Sequence, residues 1–437
     1  MAKNLNLATQ INNMLFLYNV IILFAAQVLK ILALFSPKMK LFVDGRKEVF
    51  SKIRGKIKLS DQTIWFHAAS LGEYEQGMPV IEKIKIEYPN HKIVVTFFSP
   101  SGYEVRKNNT VADVTVYLPL DTKSNAQKFI ESIHPEMVFF IKYEYWPNYL
   151  NELKKRKIKT YLISGIFREK QAFFKWYGSF YRNALKTFDY FFVQNDSSKK
   201  LIQSIGFNNV KVSGDTRFDR VVSILERDNS LDFIEDFSKS SSTAIGVTKP
   251  TIVVIGSSWP KDENLLVQYI NNASENVKFI IAPHNIKSEQ IQELKNSISK
   301  KTILFSDVKT GRDLSLHDYD IFIIDTIGIL TKIYSYADIA YVGGGFGNPG
   351  IHNILEPATF GVPIVIGHNY SHFAEATALV HQEGCITISN QNELNDAFNL
   401  LLHNEDERHE KGHICSTFVQ MNKGATAIIL NYICNNS

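Results

Sequence analysis

The residues of this chain that could do chemistry gather where apolar runs end. In WFHAASLGEYEQG (65–77) an apolar run reaches His67 and Ser70, turns on Gly72 and delivers Glu73, Tyr74 and Glu75. In IKYEYWPN (141–148) another run ends at Lys142, Glu144 and Trp146. Glu73 and Glu144 form the kind of carboxylate pair that general acid/base work uses. A first-turn glutamate is stabilised as its anion by the helix dipole and is then a weaker base, whereas burial or a second carboxylate pushes its pKa back up. Read alone, Glu73 is equally a solvent-exposed glutamate capping a helix, and Glu75 is a solvated residue facing elsewhere. Arg168 in SGIFREK (164–170) and Arg217 in GDTRFD (214–219) end later runs. The planar guanidinium fork suits a leaving phosphate, although a solvated surface arginine fits the same pattern.

A second cluster lies in YVGGGFGNPGIHNILEPATFGVPIVIG (341–367). Gly343, Gly344 and Gly345 close a run, and His352–Asn353 open a helix that Gly361 ends. Glycine lets a backbone approach a ligand closely, and a helix N-terminus receives phosphate. Glu356, one turn in, is placed to accept from ribose hydroxyls; a tight turn and nothing more is the plainer alternative. Asp325-Thr326-Ile327-Gly328 follows another run and opens a helix whose N–H groups point the same way. Pro283 and His284 end a third run, His284 reading either as a structural histidine or as a flank for a nucleotide base. No GxGxxG opens a βα unit and no GxxxxGK[ST] is present, so the usual dinucleotide and P-loop signals are missing.

The elements that must carry these residues are strands alternating with helices. Apolar, β-rich runs at 62–68, 92–98, 112–118, 137–142, 159–163, 189–193 and 209–213 are separated by segments of helical spacing. A polar, serine-rich stretch at 220–250 interrupts the pattern and reads as a linker. Runs at 251–258, 277–283, 301–305, 320–325, 338–345, 362–367 and 385–388 then repeat it, and 405–434 reads as a closing helix. The expectation is α/β: two doubly wound, Rossmann-like domains facing a cleft, 41–219 and 251–437, each a parallel sheet covered on both faces.

Hydrophobic residues at 45% and charged ones at 21% describe a globular chain, not a disordered one. Three scattered cysteines exclude a cysteine zinc cluster or a disulfide framework and fit a reducing compartment. Residues 1–60 hold ten of the 48 basic side chains and two of the 44 acidic ones, leaving 38 against 42 in the remainder. The excess positive charge thus flanks MLFLYNVIILFAAQVLKILALF (14–35), nearly long enough to span a bilayer core. A membrane-anchoring segment 1–40 is expected, spanning or lying in the interface; a buried amphipathic helix of the first domain is the alternative. No cleavage site follows, and Lys38–Lys58 predict a cytoplasmic C-terminal side. The same charges suit anionic head groups or a phosphorylated lipid.

In order, HAASLGE (67–73), KYEYWPN (142–148), SGDTRFD (213–219), DTIG (325–328) and the glycine-rich 343–367 stretch, with the N-terminal anchor, resemble the 3-deoxy-D-manno-octulosonic acid (Kdo) transferases of lipopolysaccharide synthesis. The resemblance covers almost the whole chain. It implies a GT-B glycosyltransferase with an N-terminal acceptor domain and a C-terminal nucleotide domain, moving Kdo from CMP-Kdo to a lipid A precursor with inversion and release of CMP. CMP-Kdo is then a substrate, with no metal, other cofactor or nucleic acid involved, and the catalytic domains lie on the cytoplasmic side of the inner membrane. Glu73 matches the general base, and Glu144 and Arg217 match positions assigned to transition-state stabilisation. Pro283, His284, Ile327, Gly328, Ile329, Asn353, Ile354, Leu355 and Glu356 match CMP-binding segments. Ser70, Gly72, Arg168, Gly344, Gly345 and His352 are secondary candidates.

The chain departs from the common pattern in places. Lys142 replaces a carboxylate, Arg217 a lysine and Ile329 a glutamate, while Pro283-His284-Asn285 stands where Pro-Arg-His is usual. These changes touch single contacts of the site and leave the reaction as it is. The rivals are a UDP-sugar 2-epimerase-like isomerase of the same architecture, another nucleotide-sugar-dependent lipid glycosyltransferase, and a silent membrane scaffold.

Overall fold

The computed structural model describes residues 2–240, 249–273, 276–309, 314–348 and 350–436, with side chains from residue 12 onward. The chain divides into two compact units, Met1–Arg220 with Lys423–Ser437 and Val221–Asn422. The first holds β1 (Gln62–Ala68), β2 (His91–Phe97), β3 (Val114–Tyr117), β4 (Pro135–Ile141), β5 (Lys159–Gly165), β6 (Tyr190–Val193) and β7 (Val210–Val212). They pair in the order β3-β2-β1-β4-β5-β6-β7, every ladder parallel. Ile64, Trp65 and Phe66 on β1 and Val138, Phe139 and Phe140 on β4 are all fully buried. Consecutive buried residues mean that both faces are covered, which is why these strands read as unbroken apolar runs. Chain order reverses between β1 and β4, the crevice where such sheets keep ligands.

The second unit holds β8 (Thr251–Ser258), β9 (Val277–Pro283), β10 (Thr302–Leu304), β11 (Ile321–Ile323), β12 (Ile339–Val342), β13 (Ile364–Gly367) and β14 (Cys385–Ile388). Its order is β10-β11-β9-β8-β12-β13-β14, again parallel. Here β11 enters between β9 and β10, so the second sheet is not a copy of the first. Its switch point lies between β8 and β12. Among the described residues, all fourteen strands fall on the runs read from the sequence.

Two boundaries differ from expectation. The closing helix is two helices, Glu405–Asn422 and Ala425–Asn436, parted at Gly424, whose φ is +110°. The last helix belongs to the first unit: Ile429 and Ile433 are fully buried in that core, and Asp219 accepts from Thr426 N at 2.6 Å. The expected linker is also partly built into the second unit. Its helix Asp232–Phe237 buries Ile234 and Phe237, the latter 5.4 Å from the Phe322 ring, while 241–248 lie outside the described residues.

The N-terminal helix runs Ala2–Leu32, and Asn12–Leu32 is long and apolar enough to cross a membrane. Ser36 then caps the helix Pro37–Lys47. Tyr18 OH donates to Asp121 at 2.8 Å, and Asn148 Nδ2 donates to Asn19 Oδ1 at 3.0 Å, holding one face of the long helix to the first unit.

Candidate functional site

At the first switch point, β1 passes through Ser70 into the helix Leu71–Glu87. Ser70 Oγ accepts from Glu73 N at 3.5 Å, and Glu73 Oε2 accepts from Ala69 N at 2.5 Å. This reciprocal cap makes the turn. Gly72 does not: it sits in the first helical turn, and a Cβ there would meet nothing within 4 Å. Its lack of a side chain leaves the space above the turn open.

Capping and burial therefore coexist in Glu73, which is only 5% exposed and not solvated. Burial, then the charge of Glu144, raises its carboxyl to about 7, against the Ala69 N–H and Lys142. That rise corresponds to roughly 3 kcal/mol, more than the ~1 kcal/mol a helix dipole supplies. Burial wins, and the group titrates where a base is useful.

Glu144 follows β4, the neighbour of β1. Its Oε2 lies 3.6 Å from Nε2 of His67, a fully buried histidine on β1. Trp146 Nε1 donates to that Nε2 at 3.1 Å, so the imidazole carries its proton on Nδ1 and donates to Thr96 Oγ at 2.8 Å. Trp65 Nε1 donates to the same hydroxyl. His67 thus ties the floor of the site to Trp146 and Glu144. The sequence signal for it is a histidine inside an apolar strand.

Lys142 takes a left-handed φ of 72° just before Glu144. Burial, then Arg217, lowers its pKa, while Glu73 opposes them. Arg217 Nε donates to Asp215 Oδ2 at 2.8 Å, and Gln76 Nε2 donates to Oδ1 at 2.9 Å. Burial alone would raise the Asp215 carboxyl, yet Arg217 and these bonds hold it below its ordinary value. Arg168 is exposed and is felt electrostatically by Lys142 and Tyr143. The fold thus brings Glu73, Glu144, Lys142, Arg168 and Arg217 to one sheet edge. Glu75 is not solvated either: it takes Arg106 Nε at 2.9 Å and pairs with Arg220.

In the second unit Trp259 follows β8 and caps the helix Pro260–Asn272. Fully buried Asp262 accepts from Trp259 N and Gly344 N, both at 2.9 Å, and from Tyr341 OH at 2.8 Å. One carboxylate so joins the two strand ends at the switch point. The glycines there answer to close backbone packing. A Cβ on Gly343 would stand 2.4 Å from Ser257 O, one on Gly345 would stand 2.6 Å from Gly367 Cα, and Gly344 has φ +98°.

Three rings stack beside this turn. Trp259 and His284 lie 4.4 Å apart at 16°, and His284 and His352 lie 4.5 Å apart at 28°. Trp259 Nε1 donates to His352 Nε2 at 2.8 Å. Burial, then His284, pushes His352 down to about 4, and burial lowers His284 as well. Both are neutral near pH 7 and serve as planar walls, not as cations. Trp259 and Asp262 escaped the sequence reading, although Trp-Pro after a strand with an acid two residues on is a capping signal.

The helix expected from His352 begins only at Leu355 and runs to Thr359, with Ile354 at its cap. Asn353 Oδ1 accepts from Leu355 N at 3.2 Å, which displaces the start and frees His352 to stack. Glu356 accepts from Asn353 Nδ2 at 3.0 Å and Thr331 Oγ at 2.7 Å, fastening this loop to the one after β11. Nor does Asp325–Gly328 open a helix: Asp325 accepts from Ser306 N, and the helix Leu330–Ile333 follows Ile329. Ile327 is 80% exposed beside Gly328, where φ is +99° and a Cβ would touch nothing. Pro283 ends β9, and His284 N donates to Ser258 O at 2.9 Å.

Residues 45–220 match the family model described as 3-deoxy-D-manno-octulosonic-acid transferase (kdotransferase). The 3-deoxy-D-manno-octulosonic acid transferase of Chlamydia trachomatis serovar D is 30% identical over 385 residues, 85% of this chain and 86% of that one. That of Rickettsia felis is 28% identical over 352 residues, 79% of this chain and 72% of that one. Among solved structures, UDP-GlcNAc 2-epimerase from Neisseria meningitidis shares the fold, with TM-score 0.59 and 14% identity over 86% of this chain and 100% of that chain.

Proposed function

The chain belongs to the 3-deoxy-D-manno-octulosonic acid (Kdo) transferase family and is a glycosyltransferase, and we propose that it is an inverting, metal-independent enzyme moving Kdo from CMP-Kdo onto a phosphorylated lipid A precursor. The likeness to a 2-epimerase is one of fold alone and supports no isomerase reading.

Glu73 takes the proton of the acceptor hydroxyl as that oxygen bonds to the anomeric carbon of Kdo. The bond from that carbon to the phosphate oxygen breaks, and CMP leaves with the electron pair. Glu144 and Lys142 flank the base, and Arg217, oriented by Asp215, supplies positive charge to the reacting centre. The Trp259–His284–His352 stack walls the cytidine, Asn353–Glu356 and Ile327–Ile329 complete its pocket, and the glycine turn admits the phosphate closely. The acceptor is drawn from the cytoplasmic face of the inner membrane, to which the apolar helix and the Lys38–Lys58 cluster attach the protein.

The observation that carries this reading is a buried glutamate with its carboxyl raised to about 7, capping the helix after β1 beside a second carboxylate. Mass spectrometry of lipid A precursor incubated with CMP-Kdo tests it, run with a chelator present. Glu73→Gln is expected to lose ~10²–10⁴-fold in transfer rate, the usual share of general base catalysis, with CMP binding retained. Transfer by Glu73→Gln at the unmodified rate would remove Glu73 as the base.

A further inference from the structure

The segment QAFFKWYG (171–178) lies outside the site described above, yet it presents the most exposed tryptophan of the chain. Trp176 is 91% exposed, whereas Trp65 is fully buried and Trp146 and Trp259 are half-buried. Tyr177 stands beside it, the two rings meeting edge to face at 5.5 Å. The pair is rigidly presented. Phe173 is buried beneath it against Tyr145 (5.2 Å) and Phe167 (5.7 Å). Arg182 Nη1 donates to the carbonyls of Phe173 and Lys175 at 2.8 and 2.9 Å. A Cβ on Gly178 would stand 2.1 Å from Ala172 O, so the turn closes only with glycine. Two amphipathic aromatic rings held out on a braced turn face something that is apolar on one side and wet on the other.

The neighbours say what. The helix Ser179–Leu185, next in the chain, packs on the N-terminal helix, with Phe180 5.9 Å from Tyr18. The outward face of that long helix is apolar: Phe16, Leu17, Ile21 and Phe24 are all more than half exposed. Trp176 and Tyr177 stand in the chain just before the helix Ser179–Leu185 that packs on it, and Lys170 and Lys175 flank them in sequence. The attachments of the long helix also define its posture. Tyr18 and Asn19 are bonded to Asp121 and Asn148 of the folded unit, six and seven residues into the apolar stretch Asn12–Leu32. At 1.5 Å per residue those groups would lie about 10 Å deep if the helix stood across the bilayer. A folded domain with a buried carboxylate cannot follow them there, so the helix lies along the interface.

We propose that the Trp176–Tyr177 turn is a second membrane contact, seated at the headgroup–acyl boundary of an anionic bilayer beside the in-plane N-terminal helix. Tryptophan and tyrosine favour that boundary, and the adjacent lysines meet its negative charge. The proposal rests on the membrane attachment put forward above.

The test uses the full chain and vesicles of phosphatidylglycerol and phosphatidylcholine brominated on its acyl chains. Flotation reads attachment, and bromine quenching of tryptophan emission reads insertion. The wild-type protein is expected to float and to be quenched, and Trp176→Phe is expected to float but lose most of the quenched emission. Flotation with equal quenching in both proteins overturns the second contact and leaves the attachment standing. Failure of the wild-type protein to float overturns both. The substituted side chain is almost wholly in solvent, so the variant is expected to keep its fold, with circular dichroism as the check.

Discussion

At the residue scale the decisive group is Glu73, whose environment sets both its identity as a cap and its pKa. Burial and Glu144 raise the carboxyl to about 7, and Lys142 acts the other way. The acting form of a base is the deprotonated one, so kcat/KM for Kdo transfer is expected to rise with pH through about 7 and level off above. Each neighbour moves that limb in its own direction. Glu144→Gln removes a like charge and shifts the limb to lower pH; Lys142→Met removes a compensating cation and shifts it to higher pH. A limb that stays put in both variants would mean that some other group titrates. Sequence alone named Glu73, Glu144 and Lys142, since strand ends are recognisable. It left Glu73 open between an exposed cap and a base and misjudged Glu75 as solvated, because exposure is decided by side chains more than thirty residues away, Arg106 and Glu144 among them.

At the element scale the second switch point depends on one carboxylate. Asp262 satisfies Trp259 N, Gly344 N and Tyr341 OH from full burial. Asp262→Ala orphans three donors, at roughly 1–3 kcal/mol for each buried one. Accelerated hydrogen exchange over 259–272 and 341–347, with CMP affinity weakened in calorimetry, is the expected outcome. Unchanged exchange there would show that the turn holds without it. The fourteen strands were legible because a strand buried on both faces must be apolar throughout. The helix starts near His352 and Asp325 were misplaced for a local reason: Asn353 and Asp325 spend their side chains on Leu355 N and Ser306 N, which delays the first helical turn.

At the scale of the molecule the chain leaves the first unit after Arg220, builds the second, and returns its last helix to the first. Ile429 and Ile433 fill that core against the helix that carries Glu73. Ile429→Ala is expected to destabilise the first unit by about 2–5 kcal/mol, the usual cost of emptying a buried isoleucine site. Hydrogen exchange should then quicken in Leu71–Glu87 and stay unchanged across 251–422. The reverse distribution would return the closing helix to the second unit.

The sequence by itself determined the succession of strands and helices, the long apolar N-terminal segment, the polar and charged side chains at strand ends and the family motifs that contain them. Such features are encoded within a few residues of one another, as periodicity, charge and turn chemistry. Only the tertiary structure decided that β11 enters between β9 and β10, that the last helix completes the first unit, that His67 braces Glu144, and that Glu73 is buried. Strand order and burial depend on contacts between residues far apart in the chain. A carboxylate's pKa follows those contacts, so the property that suits Glu73 to the proposed role of base is written in its surroundings.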